Sequence, residues 1–117
     1  LEAIRLINET LEASEPPLLS PEELRARIGK ATSHRTEGVR SGTFVEVGPF
    51  LTTSTQFAEL SSAVEEAIRD GCTSVGAIRG RLGLSRKYVL PLLETLDHLG
   101  RTRRRGNERE WVTPPTA

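Results

Sequence analysis

The chain has 117 residues, of which 36% are apolar and 4% aromatic, enough for one ordinary domain or two very small ones. It holds a single cysteine, Cys72, so an intrachain disulfide is excluded and a reducing, cytoplasmic setting is the expectation. No apolar run has the length of a membrane span and no segment has the pattern of a signal peptide. The net charge is zero, but residues 1–70 carry 7 basic and 12 acidic side chains, net −5, while residues 71–117 carry 9 basic and 4 acidic, net +5. Such asymmetry suits a chain whose second half meets a polyanion; two ordinary solvated surfaces are the alternative. The first residue is Leu1 rather than Met, and the expectation is a piece of a longer protein.

In chain order, Leu1, Ile4, Ile7 and Leu11 fall at helical spacing, predicting an amphipathic helix over 1–13 that Pro16 and Pro17 terminate. Ser20-Pro21-Glu22-Glu23 is a capping box with proline at the first helical position. Leu19 and Leu24 are placed to staple it, so a short helix should run from 21 to about 29. Residues 30–42 are polar and aperiodic and read as loop. Thr43 to Val47 and Phe50 to Thr53, separated by Gly48-Pro49, read as a β-hairpin.

Phe57, Leu60, Val64, Ala67 and Ile68 mark a helix ending near Gly71, and Val75, Ile78 and Leu82 mark another, weakened by Gly76 and Gly80. Ser85 is placed to cap a third helix with Val89, Leu92, Leu93, Leu96 and Leu99 as its apolar stripe. Pro91 lies inside it and should kink it or set its first turn apart. Arg101 to Arg105 and Glu108 to Val112 then flank Gly106-Asn107, which suits a type II′ hairpin. Three helices followed by a hairpin make a winged helix. The first half has the same order with its third helix missing or degraded between Lys30 and Gly42. The expected fold is α+β, mostly α with small hairpins: tandem winged helices, a first unit over 1–54 and a second over 55–117.

A winged helix meets nucleic acid through the start of its third helix and through its wing. Here Ser85-Arg86-Lys87 opens that helix, where free backbone N–H groups attract phosphate. Arg79 and Arg81 could extend the patch; a capped helix with solvated cations is the plainer reading. In the hairpin register set by Gly106-Asn107, Arg105 faces Glu108, Arg103 faces Glu110, and Arg104 faces Arg109. Like charges directly opposite are destabilising, a pairing most simply explained by an anion between them. Tyr88 could stack on a base but more simply packs locally, and Trp111 more simply anchors the wing. His34, His98 and Cys72 lack metal-ligand spacing, Gly76, Gly80 and Gly83 lack a phosphate-loop pattern, and no nucleophile–base pair stands out. No metal and no catalytic residue is assigned.

The run from Ile78 to Arg109 also resembles a family. Leu82-Gly83-Leu84-Ser85-Arg86-Lys87-Tyr88, the following Val89-Leu90-Pro91-Leu92-Leu93-Glu94, and Thr102-Arg103-Arg104 with Gly106 and Arg109 are similar to the last winged helix of bacterial SelB. SelB factors deliver selenocysteinyl-tRNA to a recoded UGA codon. The resemblance is close over 78–112, compatible over 43–77 and positional before that. It implies a translational GTPase whose G domain, with GTP and magnesium, lies outside this chain, and no cofactor within it. It implies a cytoplasmic monomer whose last winged helix binds a selenocysteine insertion hairpin in mRNA, with the ribosome and selenocysteinyl-tRNA as partners of the full-length protein. The matching positions imply Arg79, Ser85, Arg86, Lys87, Arg104 and Arg109 as RNA contacts, with Arg103 and Tyr88 as weaker ones. The family's usual Gly-Asp wing tip is here Gly106-Asn107, and the acidic first unit suits a spacer. The competing expectations are a DNA-binding regulator and a protein-docking module. The first is disfavoured by the largely apolar Leu90-Pro91-Leu92-Leu93 stretch, which offers few side chains for base edges.

Overall fold

The computed structural model describes residues 2–112; Leu1, the first member of the expected stripe, and residues 113–117 lie outside the described residues. The chain divides into two compact units, Leu1–Ala58 and Glu59–Ala117.

The first unit opens with α1 (Glu2–Glu12), whose Ile7 and Leu11 are buried. The helix α2 (Pro21–Ile28) forms where the capping box was read. Ser20 accepts the N–H of Glu23, and the Glu23 carboxylate accepts the N–H of Ser20 at 2.9 Å. Residues 30–42 are not a loop. A 3-10 helix (Gly29–His34) leads directly into α3 (Arg35–Arg40), so the first unit does have its third helix. The apolar periodicity that would announce it is missing because this segment buries small and polar residues instead. Thr32 is buried, and Gly38 lies under the ring of Phe44, where an added Cβ would stand 2.2 Å from two ring carbons. The strands β1 (Phe44–Val47) and β2 (Phe50–Thr53) pair antiparallel across Gly48-Pro49. Their inner residues Phe44 and Leu51 join Ile7, Leu11, Leu19 and Leu24 in one core, against which Ile4, Ile28 and Val39 pack.

The second unit repeats the order. The helices are α4 (Ser54–Arg69, within which the division into units falls), α5 (Val75–Leu82) and α6 (Arg86–His98). The strands β3 (Thr102–Arg105) and β4 (Glu108–Trp111) form the wing in the expected register. Gly106 has φ +63° and no non-glycine residue among the described residues has positive φ, which fits a type II′ turn with glycine first. Val64, Ala67, Ile78, Val89, Leu92, Leu93 and Leu96 are buried. Leu99 is not part of this stripe: it follows the last helical turn and is 51% exposed. No break sets the first turn of α6 apart at Pro91. The carbonyl that loses its N–H partner there is that of Lys87, an exposed residue that water can satisfy.

The two units share one further detail. Residues just before the second helix bridge to the second wing strand: Leu19 pairs with Leu51 in the first unit, and Ser74 with Glu108 in the second. Each wing is thereby tied back to its own helices.

Candidate nucleic-acid interface

Three local structures position the expected site residues. Ser74 caps α5, its hydroxyl accepting the N–H of Ala77, and brings Val75 and Gly76 to the start of that helix. Gly83, with φ +69°, turns the chain from α5 toward α6, a left-handed conformation that glycine adopts without steric cost. Ser85 then enters α6 in an extended conformation (φ −75°, ψ 161°) and its hydroxyl makes no capping bond. The first amides of α6 and the Ser85 hydroxyl are therefore open at an exposed helix start, the geometry that favours an anion.

The structure divides the basic residues of the second unit into two classes. Several have a carboxylate partner within the unit. Arg81 reaches Asp70 at 2.5 Å, and the hydrogen bond to that carboxylate, followed by one to Cys72, raises its pKa further. Arg103 and Arg105 both hold Glu110, at 3.5 and 3.1 Å. Arg109 is 4% exposed, and its Nε and Nη2 donate to Asp97 at 3.1 and 2.8 Å. By contrast Arg79, Arg86 and Lys87 are exposed and have no carboxylate partner among the described residues. Arg104 is exposed and donates only to the carbonyl of Gly106, at 3.0 Å.

Two of the uncommitted cations, Arg86 and Arg104, meet at one opening. A cleft of about 260 Å3 lies between the start of α5, the first turns of α6 and the wing, lined by Ser74, Val75, Gly76, Arg86, Leu90, Arg104, Asn107 and Arg109. Its lining combines the apolar Val75 and Leu90 with the polar Arg86, Arg104 and Asn107. Arg86 and Arg104 are thus brought together, whereas Arg79, Ser85, Lys87, Tyr88 and Arg103 do not line the cleft. Lys87 places its ammonium 5.1 Å from the centre of the half-buried Tyr88 ring, so the tyrosine packs locally.

Arg109 departs from expectation. It does face Arg104 across the wing, but the conflict of like charge is relieved from within. The Asp97 carboxylate takes the Arg109 guanidinium, and no external anion is needed between the two arginines. Asp97, Asn107 and the start of α5 were not singled out from the sequence. An unexplained like-charge pair in a strand register was the signal that a carboxylate elsewhere in the unit, here eleven residues upstream of Glu108, had to answer it. Among the described residues no group of three metal-ligating side chains forms. No helix there is long and apolar enough to cross a membrane.

Known proteins resemble this chain in fold and, over part of its length, in sequence. Residues 67–111 match the family described as the winged helix of elongation factor SelB. Among solved structures, a bacterial selenocysteine-specific elongation factor EF-Sec is similar over 97% of this chain, at 28% identity and a TM-score of 0.78. This chain spans only 19% of that factor's length. The mRNA-binding domain of E. coli elongation factor SelB, solved in complex with SECIS RNA, is similar over 94% of this chain and 97% of its own length. There the identity is 22% and the TM-score 0.76, a likeness of fold. No curated protein matches the chain.

Proposed function

We propose that this chain, whose second unit is a winged helix of the SelB family, binds a selenocysteine insertion hairpin in mRNA through the start of α6 and the wing. In that role it would tether a selenocysteine-specific elongation factor beside the UGA codon and raise its local concentration there. The observation that carries the reading is the set of cations left uncommitted. Arg79, Arg86, Lys87 and Arg104 have no carboxylate partner among the described residues, two of them line one cleft, and the start of α6 has open amides.

The physics of RNA fits that layout. An A-form stem hides its base edges in a deep, narrow groove, so sequence is read in loops and bulges whose bases can be splayed out. Phosphates on Arg86, Lys87, Arg104 and the Ser85 end of α6 would set the register. The rest of α6 offers Leu90, Pro91, Leu92 and Leu93, of which Leu92 and Leu93 are buried, so little is left to read a DNA major groove. The first unit serves as a spacer, and the chain acts as a cytoplasmic monomer without catalysis of its own. The ribosome and selenocysteinyl-tRNA would be partners of a longer protein. GTP and magnesium would belong to its G domain, since this chain supplies no phosphate loop.

The test is binding at physiological salt to a selenoprotein mRNA hairpin, the same hairpin with a scrambled loop, and a DNA version. The expected result is tight binding to the first and at least about tenfold weaker binding to the others, a difference of about 1.4 kcal/mol. With four cations engaged on single-stranded or loop phosphates, log affinity against log salt should fall with a slope of about −3. Equal binding to all three ligands would reduce the patch to a generic polyanion surface and end the proposal.

A further inference from the structure

The wing's hidden ion pair has no counterpart in the first unit. Counting from the bridge to the helices, Arg109 N–H donates to the carbonyl of Thr73, and Leu51 N–H donates to that of Leu19. Each is the second residue of its wing's second strand, and each faces the third residue of the first strand, Arg104 or Glu46. One position is thus filled by a 3% exposed leucine in one unit and a 4% exposed arginine in the other. A buried ion pair is a poor way to gain stability, because desolvation offsets most of the attraction and an apolar residue packs as well. The arginine therefore calls for a reason other than stability.

Its bonds supply one. The Asp97 carboxylate sits in the last turn of α6. Its two oxygens share the single Nε–H of Arg109, and it accepts further bonds from Nη2 and from the Thr102 hydroxyl, the last at 2.6 Å. Thr102 begins β3 and Arg109 lies in β4, so one carboxylate holds both strands of the wing to one helix. A leucine can slide or rotate in its pocket, whereas a guanidinium held in this forked way has a set direction. Arg109 also lines the cleft and stands across the ladder from Arg104.

We infer that Asp97, acting through Arg109 and Thr102, is a positioning residue that fixes the wing so that Arg104 and Asn107 face Arg86 across the cleft. This rests on the RNA-binding reading above and deepens it: Asp97 touches no RNA, yet hairpin affinity depends on it. Its charge makes the claim sharp. Asp97→Asn removes a negative charge from a nucleic-acid-binding unit, and electrostatics alone would tighten the complex. Positioning requires the opposite sign.

The experiment measures hairpin affinity of the full chain for Asp97→Asn, Arg104→Ala and the double variant, with helix content followed by circular dichroism. Asp97→Asn should weaken binding by about tenfold, the scale of one charge-assisted hydrogen bond. In the Arg104→Ala background that loss should shrink to about twofold or less, because the two act through one contact. Thr102→Val, which takes away one bond and no charge, should weaken binding in the same direction by less, and it carries the test if Asp97→Asn does not fold. Unchanged or tighter binding by a folded Asp97→Asn, or full additivity with Arg104→Ala, would overturn the inference. If the wild-type chain binds no hairpin, the functional reading itself fails. Amide exchange then decides: faster exchange confined to β3 and β4 in Asp97→Asn upholds the positioning of the wing, and unchanged exchange refutes it.

Discussion

In the first unit the third helix continues a 3-10 turn: the N–H of Arg35 bonds back to the carbonyl of Thr32, and no extended residue precedes it. In the second unit the third helix follows the extended Ser85, and its first amides are open. The wings differ in the same sense. Between Phe44 and Thr53 the only charged residue is Glu46, and Val47, Phe50 and Leu51 are buried. Between Thr102 and Trp111 there are four arginines and two glutamates. The same order of elements thus yields one unit with an apolar wing and a closed start to its third helix, and another with a cationic wing and an open one. Fold alone does not make an RNA-binding surface; what matters is whether the third helix presents a free end and whether the cations of the wing are left unpaired.

Substitutions can break this comparison in a graded way. The largest effects should come from the residues that hold each wing to its helices. Leu51→Ala should cost about 2–5 kcal/mol as a core truncation. Asp97→Ala should cost about 3 kcal/mol, the lower end for an abandoned buried partner, because the carboxylate side chain is still 26% exposed. Urea unfolding reads both, and two losses below 1 kcal/mol would mean the wings are not anchored as described. Next comes Gly38→Ala. Its methyl group would collide with the Phe44 ring, and overpacking of this kind costs about 1–3 kcal/mol, again by urea unfolding.

A third contrast concerns binding. Arg86→Ala should weaken hairpin affinity by about 1–3 kcal/mol without changing helix content, while Arg35→Ala, at the start of α3, should leave affinity within about 0.5 kcal/mol. Equal losses would erase the distinction between the units, and no loss at Arg86 would remove the helix start from the site. The smallest effect is a gain. Thr32 is 1% exposed and its hydroxyl has no partner among the described residues, so Thr32→Val should raise stability by about 1 kcal/mol in the same unfolding assay.

How much of this could be read from the residues differs between the two units for a physical reason. In the second unit periodicity and turn chemistry agree: Val89, Leu92, Leu93 and Leu96 repeat at helical spacing, and Gly106-Asn107 sets the wing's register. In the first, α3 hid because its buried positions are Thr32 and Gly38, neither of which marks an apolar face, and because Phe44 from the hairpin supplies the missing bulk. The cations of the interface were visible as residue types but not as a selection. Arg103, Arg105 and Arg109 look no different in sequence from Arg86 and Arg104. Only their distances to Glu110 and Asp97 show which of these arginines has a carboxylate partner, and only Arg109 is buried with it. Leu99 was misplaced for a related reason: Gly100 ends the helix so closely that the stripe loses its last member to solvent.

The central claim is that RNA meets the open end of α6 and the wing of the second unit and leaves the first unit alone. The most direct test is an amide chemical-shift map of the chain titrated with the selenoprotein mRNA hairpin. Shifts are expected at Gly76, Arg86, Lys87, Arg104 and Asn107, with the amides of α2, α3, β1 and β2 unmoved. Shifts centred on Gly29–Arg40, or spread evenly over both units, would contradict it.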